Sequence, residues 1–145
     1  DIVVELRVED VGKLASMLSH LGEAGYIDAE AAKRAVRDRK EFNFIDGNTG
    51  VKVDFFIPQK DLFNESQFAR RTARDVNSEM VYFVSPEDLI LSKLLWYQEA
   101  QTSRHLEDIE SVLRNTKIDI QYIRKWAKKH STLKMFNVLY KKALK

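Results

Sequence analysis

Apolar and polar residues alternate in several short segments, and this alternation is typical of β-strands. The opening run 1–6 is β-branched and apolar on both sides, which predicts a central strand. Segments 41–45 and 51–57 flank the turn-forming stretch 46–50, and together they predict a β-hairpin that Pro58 ends. Segment 80–84 predicts a further strand.

Elsewhere apolar residues recur every three or four positions, the spacing of an amphipathic helix. Asp28 is placed to cap the second of two N-terminal helices, and Ser85 followed by Pro86 is a typical start for the first C-terminal helix. The polar, arginine-rich segment 62–75 predicts a helix or a surface loop. The predicted helices span residues 9–21, 28–39, 85–100, 106–113, 118–129 and 133–144.

These elements predict an α+β fold, a small mixed sheet flanked by helices and followed by a C-terminal helical bundle. The predicted division is an α/β core over residues 1–84 and a helical region over 85–145, packed on that core. With 145 residues, of which 44% are hydrophobic, the chain is long enough to bury a sizeable core.

The amino-acid composition restricts the kinds of site that the chain can form. It has no cysteine and only three scattered histidines, so a bound metal ion should be a hard one held by carboxylates, Mg²⁺ or Mn²⁺. The lack of cysteine fits a cytoplasmic protein, and no apolar run is long enough to predict a membrane span. Because the chain opens at Asp1 inside an apolar run, we expect a further segment upstream.

Charge is distributed unevenly although the formal net charge is only +2. Residues 114–145 contain ten lysines and arginines but only one acid, Asp119. This basic end has two interpretations, a phosphate-binding surface or the solvated outer faces of terminal helices. We favour the second, with Ile120, Ile123, Trp126 and Ala127 turned inward.

Asp54 is the unexpected residue of the predicted hairpin, because a carboxylate within a strand is costly to bury unless it is paired or binds a metal. Lys52 or an arginine could pair with it on an exposed face. Alternatively, Asp54 and Asp1 converge at one edge of the sheet, where a divalent ion would bridge them to nucleotide phosphates.

Lys93, Arg104 and Asp108 form a second candidate site if their two helices adjoin. A lysine and an arginine beside an acid can bind a triphosphate, and the acid can orient the lysine. The alternative, which we favour from the residues alone, is an ordinary salt bridge between helices. Neither glycine-rich phosphate-binding motif is present in the sequence.

The order of "DIVVEL", a helix, "FNFID", "VKVDFF", "SPEDLILSKL" and "SRHLEDIESVL" resembles the minimal nucleotidyltransferase superfamily, particularly small bacterial and archaeal proteins akin to the AbiEii-type toxin transferases. The resemblance extends from Asp1 to about residue 128. It implies transfer of a nucleoside monophosphate from a nucleoside triphosphate to an unknown acceptor, with Mg²⁺ or Mn²⁺ as cofactor. An antitoxin partner is a further implication.

The resemblance also assigns residues. Asp1 matches the second Asp of the family's paired carboxylates and Asp54 matches the third, so both would be catalytic and metal-binding. Lys93 and Asp108 match the family's helical Lys and Asp, and Arg104 is a weaker match, all three on the nucleotide-binding side. The family's Gly-Ser turn and first Asp are not in this sequence, so the expectation of catalysis depends on an upstream segment.

Two alternative functions remain open. One is a catalytically degenerate transferase fold that serves as a binding module for nucleic acid or a partner protein. The other, a metal-dependent nuclease, is disfavoured because no acid precedes Lys60 at the acid-x-lysine spacing that such enzymes generally use.

Overall fold

The computed structural model describes residues 1–21 and 25–144, and the chain forms an α+β fold, as predicted. It divides into two compact units, Asp1–Asp61 and Leu62–Lys145, which we call the sheet unit and the helical unit. This division falls earlier than the predicted boundary after residue 84. The two units are described separately below.

The sheet unit contains a three-stranded mixed sheet and two helices. Its strands are ordered β1-β3-β2, with β1 parallel and β2 antiparallel to β3. A 3-10 turn at Val8–Asp10 precedes the first helix. The elements are β1 (Ile2–Val3), α1 (Val11–Ser19), α2 (Ala29–Asp38), β2 (Glu41–Ile45) and β3 (Lys52–Phe56).

The prediction that the first strand is central was wrong. Within the described residues β1 is an edge strand of two residues, and Ile2 and Val3 are 44% and 47% exposed. The central position belongs to β3, which pairs on both sides. A run that is apolar on both faces does not require a central position. It also suits an edge strand that is only partly covered, and this is what the structure has.

Local signals in the sheet unit act as predicted. The Asp28 carboxylate accepts a hydrogen bond from the Ala31 amide at 2.8 Å and so caps α2. In the β2–β3 turn, Asp46 Oδ1 accepts from the Asn48 amide at 2.9 Å. Gly50 has φ +70°, a conformation that favours glycine. These contacts fix the hairpin and therefore the position of Asp54 on β3.

The core of this unit lies between its helices and one face of its sheet. The Phe42 and Phe55 rings stack there with centroids 5.0 Å apart. Glu41, Asn43 and Ile45 point the other way and are exposed, so we call their side of the sheet the open face. The buried core residues are Val11, Leu18, Ala32, Ala35, Val36, Phe42, Phe44, Phe55 and Ile57.

The helical unit begins with a helix and a β-hairpin and continues with four helices. Its core is a single apolar cluster to which α3 contributes Phe63, whose ring centroid lies 5.2 Å from that of Trp126. This contact explains why α3 belongs to the helical unit. The elements are α3 (Leu62–Arg70), β4 (Thr72–Val76), β5 (Glu79–Phe83), α4 (Pro86–Ala100), α5 (Ser103–Asn115), α6 (Ile120–Lys129) and α7 (Leu133–Ala143).

The β4–β5 hairpin corrects part of the sequence prediction, because β4 was expected to be helix or loop. Asn77 and Ser78 adopt φ of 54° and 67°, the left-handed pair that a two-residue hairpin turn requires. The Asp75 carboxylate supports this turn by accepting from the Ser78 amide at 3.1 Å. β5 was predicted correctly, and both strands are exposed along their whole length.

The C-terminal helices match their predicted spans closely. Ser85 caps α4 by accepting from the Asp88 amide, and Ile123, Trp126 and Ala127 of α6 are buried as expected. Within residues 1–21 and 25–144, no helix has both the length and the apolar character needed to cross a membrane.

We expect Phe136→Ala to destabilise the helical unit by about 3–5 kcal/mol, because Phe136 is fully buried and its loss leaves a cavity. Both tryptophans, Trp96 and Trp126, lie in this unit, so tryptophan fluorescence during urea unfolding reports on it selectively. The control Val138→Ala changes a side chain in the same helix that is 61% exposed, and its effect should stay within about 0.5 kcal/mol. Equal effects of the two substitutions would contradict the assigned core.

Candidate functional site

The pairing of β1 with β3 bears on the two predicted catalytic carboxylates, Asp1 and Asp54, because each precedes a paired residue. Ile2 pairs with Phe55 and Val3 with Phe56 in parallel register. Continued by one residue, this register sets Asp1 opposite Asp54. Adjacent strands lie about 4.8 Å apart, and side chains at opposed positions leave the sheet on the same side. Extended in this way, the register predicts that Asp1 lies on the same open face as Asp54.

Asn43 extends this row, because it pairs with Asp54 from the β2 side. With the extended register, two carboxylates and an amide form one row across the open face. Such oxygen donors suit Mg²⁺, which commonly takes only one or two protein carboxylates and completes its shell with water and phosphate oxygens. Across residues 1–21 and 25–144, no group of three or more His, Cys, Asp and Glu residues could hold a metal ion.

Asp54 also has the ordinary partner that we considered from the sequence. Lys52 Nζ lies 2.7 Å from Asp54 Oδ1, and the aspartate side chain remains 29% exposed. The hydrogen bond to Asp54 raises the pKa of Lys52. Since Lys52 is exposed, it can move away from Asp54 at little cost, and the carboxylate can then bind another cation.

The second predicted constellation is partly assembled in the helical unit. Lys93 of α4 donates to Asp108 Oδ2 of α5 at 2.6 Å, and the lysine side chain is only 14% exposed. This hydrogen bond lowers the pKa of Asp108, and the charge of Arg104 adds to the effect. Lys93 and Asp108 thus form an oriented pair between helices, as both the salt-bridge and the phosphate-binding interpretations require.

A buried polar cluster in the same unit was missed by the sequence analysis. Asp88 is fully buried, and its carboxylate accepts from Ser85 Oγ at 2.6 Å and from the Tyr122 hydroxyl at 2.7 Å. Arg70 donates to Glu87 Oε2 at 3.0 Å. Its Nε lies 3.5 Å from Asp88 Oδ2, which is an ion pair but not a hydrogen bond.

The cluster joins three helices. The Arg70 guanidinium lies 3.9 Å from the centroid of the Tyr122 ring, and Glu87 Oε1 accepts from the Asp119 amide at 2.8 Å. Acids are generally favourable in the first turn of a helix, so Glu87 and Asp88 at the start of α4 do not by themselves indicate a buried cluster. The cluster could have been found from the two consecutive acids at the start of an apolar helix, because Arg70 precedes them without a predicted partner.

Burial and the hydrogen bond to Asp88 raise the pKa of Tyr122 to about 12, although the hydroxyl contact with Ser66 opposes this shift. A buried carboxylate that has two hydroxyl partners and an arginine stabilises the packing of the helices around it. All of its oxygens are engaged within the protein. We therefore treat this cluster as a structural element rather than as a binding site.

No protein-family model matches the chain, and neither a curated protein nor a solved structure is significantly similar to it. The functional argument consequently depends on the geometry described above.

The raised pKa of Tyr122 predicts an alkaline transition. The folded pKa of about 12 exceeds the ordinary value of 10.0, so the neutral phenol stabilises the fold below pH 10, and this contribution is lost between about pH 10 and 12. The free energy of unfolding, measured by urea titration at successive pH values, should fall more steeply in this interval for the wild type than for Tyr122→Phe. Identical slopes would contradict the raised pKa of Tyr122.

Proposed function

We propose that the protein is a metal-dependent nucleotidyltransferase, which moves a nucleoside monophosphate from a nucleoside triphosphate to an acceptor hydroxyl. One observation supports this proposal, namely the parallel register of Ile2 with Phe55, which, extended by one residue, sets Asp1 opposite Asp54. Two carboxylates side by side on a partly exposed sheet are unfavourable by themselves, since like charges repel. A binding site for a divalent cation accounts for their proximity.

In the reaction, the acceptor oxygen attacks the α-phosphorus, and the bond from that phosphorus to the pyrophosphate oxygen breaks as pyrophosphate leaves. Asp54 orients the acceptor hydroxyl and receives its proton. Asp1 and Asp54 together would hold Mg²⁺ or Mn²⁺, which when bound supplies positive charge against the phosphate oxygens. The exposed Lys52 pairs with Asp54 in the absence of a cation.

Within the helical unit, Lys93 and Arg104 are the proposed phosphate-binding cations, and Asp108 orients Lys93. The 2.6 Å contact and the low exposure of Lys93 support this role, because a restrained cation loses less side-chain entropy when it binds an anion. The antitoxin partner implied by the resemblance and the cytoplasmic location suggested by the lack of cysteine belong to the same proposal.

The decisive variant is Asp54→Asn, which removes the charge and keeps the shape. With Mg²⁺ and triphosphates labelled at the α-phosphate, transfer of label to cellular RNA, protein or small molecules should fall roughly 100-fold or more. The unfolding midpoint without ligand should be unchanged, because Asp54 is partly exposed and its ion pair with Lys52 is a surface one.

Lys52→Gln is the matched control. It breaks the same ion pair but leaves the Asp54 carboxylate in place, so label transfer should persist. If Asp54→Asn retains the wild-type rate, Asp54 has no catalytic role. If both variants lose transfer equally, the ion pair rather than the carboxylate is required.

The binding-module alternative is favoured by a different observation, the exposed β4–β5 hairpin. Met80, Tyr82 and Phe83 are 60%, 58% and 46% exposed there, and an isolated two-stranded hairpin is marginally stable in water. Apolar side chains on a free strand suit a partner protein that adds a strand. This function replaces the enzymatic one if the wild type shows neither Mg²⁺-dependent triphosphate binding nor transfer.

A further inference from the structure

We propose that the sheet unit has a second binding site, a cavity of about 400 Å³ that takes a small organic anion, a carboxylate or a phosphate on an apolar body. The cavity lies where β1 and β3 end, since its lining includes Leu6 beyond β1 and Ile57 beyond β3. Ligands of sheets with parallel strands commonly bind outside the carboxyl ends of those strands. The lining residues are Glu5, Leu6, Arg7, Asp10, Arg39, Ile57 and Lys60.

Arg39 is the best-restrained cation of the cavity. Its Nη1 donates to the Pro58 carbonyl at 2.5 Å, and its own carbonyl accepts from Gln59 Nε2 at 2.8 Å. Its backbone is left-handed, with φ 51°, at the end of α2. The bond to Pro58 orients the guanidinium without neutralising it, because a carbonyl carries no charge. The remaining N–H groups can bind a carboxylate or a phosphate in the bidentate manner.

The charges of the lining leave one positive charge in excess. Arg7 is occupied, because its Nε lies 2.7 Å from Asp10 Oδ2. Lys60 and Glu5 pair with none of the residues that the structure describes, so Lys60 can join Arg39 in binding an anion. Glu5 is then available to accept a hydrogen bond from a hydroxyl or ammonium group of the ligand.

Leu6 and Ile57 supply the apolar part of the lining. Ile57 is only 6% exposed and is fixed by the core, and its amide donates to the Lys40 carbonyl at 3.2 Å. The apolar surface that a ligand can cover therefore belongs to Leu6, which is only partly buried. An anion without an apolar body would leave it in contact with water, whereas an organic anion covers it. The cavity therefore favours an organic anion over inorganic phosphate.

Titrations of the ¹⁵N-labelled protein with phenyl phosphate, benzoate, benzyl alcohol and inorganic phosphate test this site. EDTA excludes divalent ions, so the result is independent of nucleotidyl transfer. Phenyl phosphate or benzoate should shift the amide signals of Leu6 and Ile57 and bind at least threefold more tightly than inorganic phosphate; the tighter of the two identifies the preferred anionic group. Equal affinity for neutral benzyl alcohol, or no shift at these amides, would overturn the proposal.

Lys60→Gln should weaken binding of the preferred probe at least fivefold without altering the unfolding midpoint, since Lys60 has no partner to lose. Lys33→Gln is the control; it removes a lysine of the same unit that lines no part of the cavity and pairs with Glu30. If both lysine variants weaken binding equally, the probe is attracted by the overall positive charge, and the proposed site is overturned. Arg39→Lys keeps the charge but loses the planar fork, and unchanged affinity in this variant would overturn the role of Arg39.

Discussion

The pairing of β1 with β3 is the interaction on which both proposed sites depend. β1 has only two residues, and the hydrogen bond from the Val4 amide to the Phe56 carbonyl at 3.0 Å continues the pairing beyond it. Extended by one residue at its start, this pairing sets Asp1 opposite Asp54. Beyond its end the chain reaches Leu6, which lines the cavity. A shift of one residue would turn every side chain of the strand to the other face and would separate the two carboxylates.

Such a short edge strand needs support from outside the sheet. Val4 and Leu6 provide it, because both are partly buried against the core formed by α1, α2 and the sheet. The core is fixed in turn by the stacked Phe42 and Phe55 rings and by the capped helix α2. The stability of the candidate site therefore comes from the face opposite to it, and the open face is left available for charged groups.

Local features of the fold could be predicted from the sequence, and non-local ones could not. Asp28, Ser85 and the turn that begins at Asp46 act within a few residues of themselves, so their roles were predictable. The edge position of β1 depends on which strand it pairs with, and the residues of β1 alone do not predict that partner. β4 was missed because its turn uses Asn77 and Ser78 rather than the Asn-Gly that signals a tight hairpin.

The same distinction applies to the candidate sites. The Lys93–Asp108 contact was predictable because one short connection separates α4 from α5. The burial of Glu87 and Asp88 was not, because it depends on Arg70 and Tyr122, which come from two other helices. Asp54 is a carboxylate in an apolar strand, and the structure shows one of its predicted neighbours, Lys52, in contact. Its proximity to Asp1 follows only from extending the β1–β3 register by one residue.

The most direct test of the account is a titration of the ¹⁵N-labelled protein with Mn²⁺, which broadens the signals of nuclei close to the bound ion. If Asp1 and Asp54 share a cation, the amide signals of Ile2 and Phe55 should broaden together at the lowest Mn²⁺ concentration. The amide of Asp75, whose carboxylate lies in the exposed β4–β5 hairpin, should broaden only at higher concentration. Broadening at one of the two strands alone, or equally early at Asp75, would contradict the shared site.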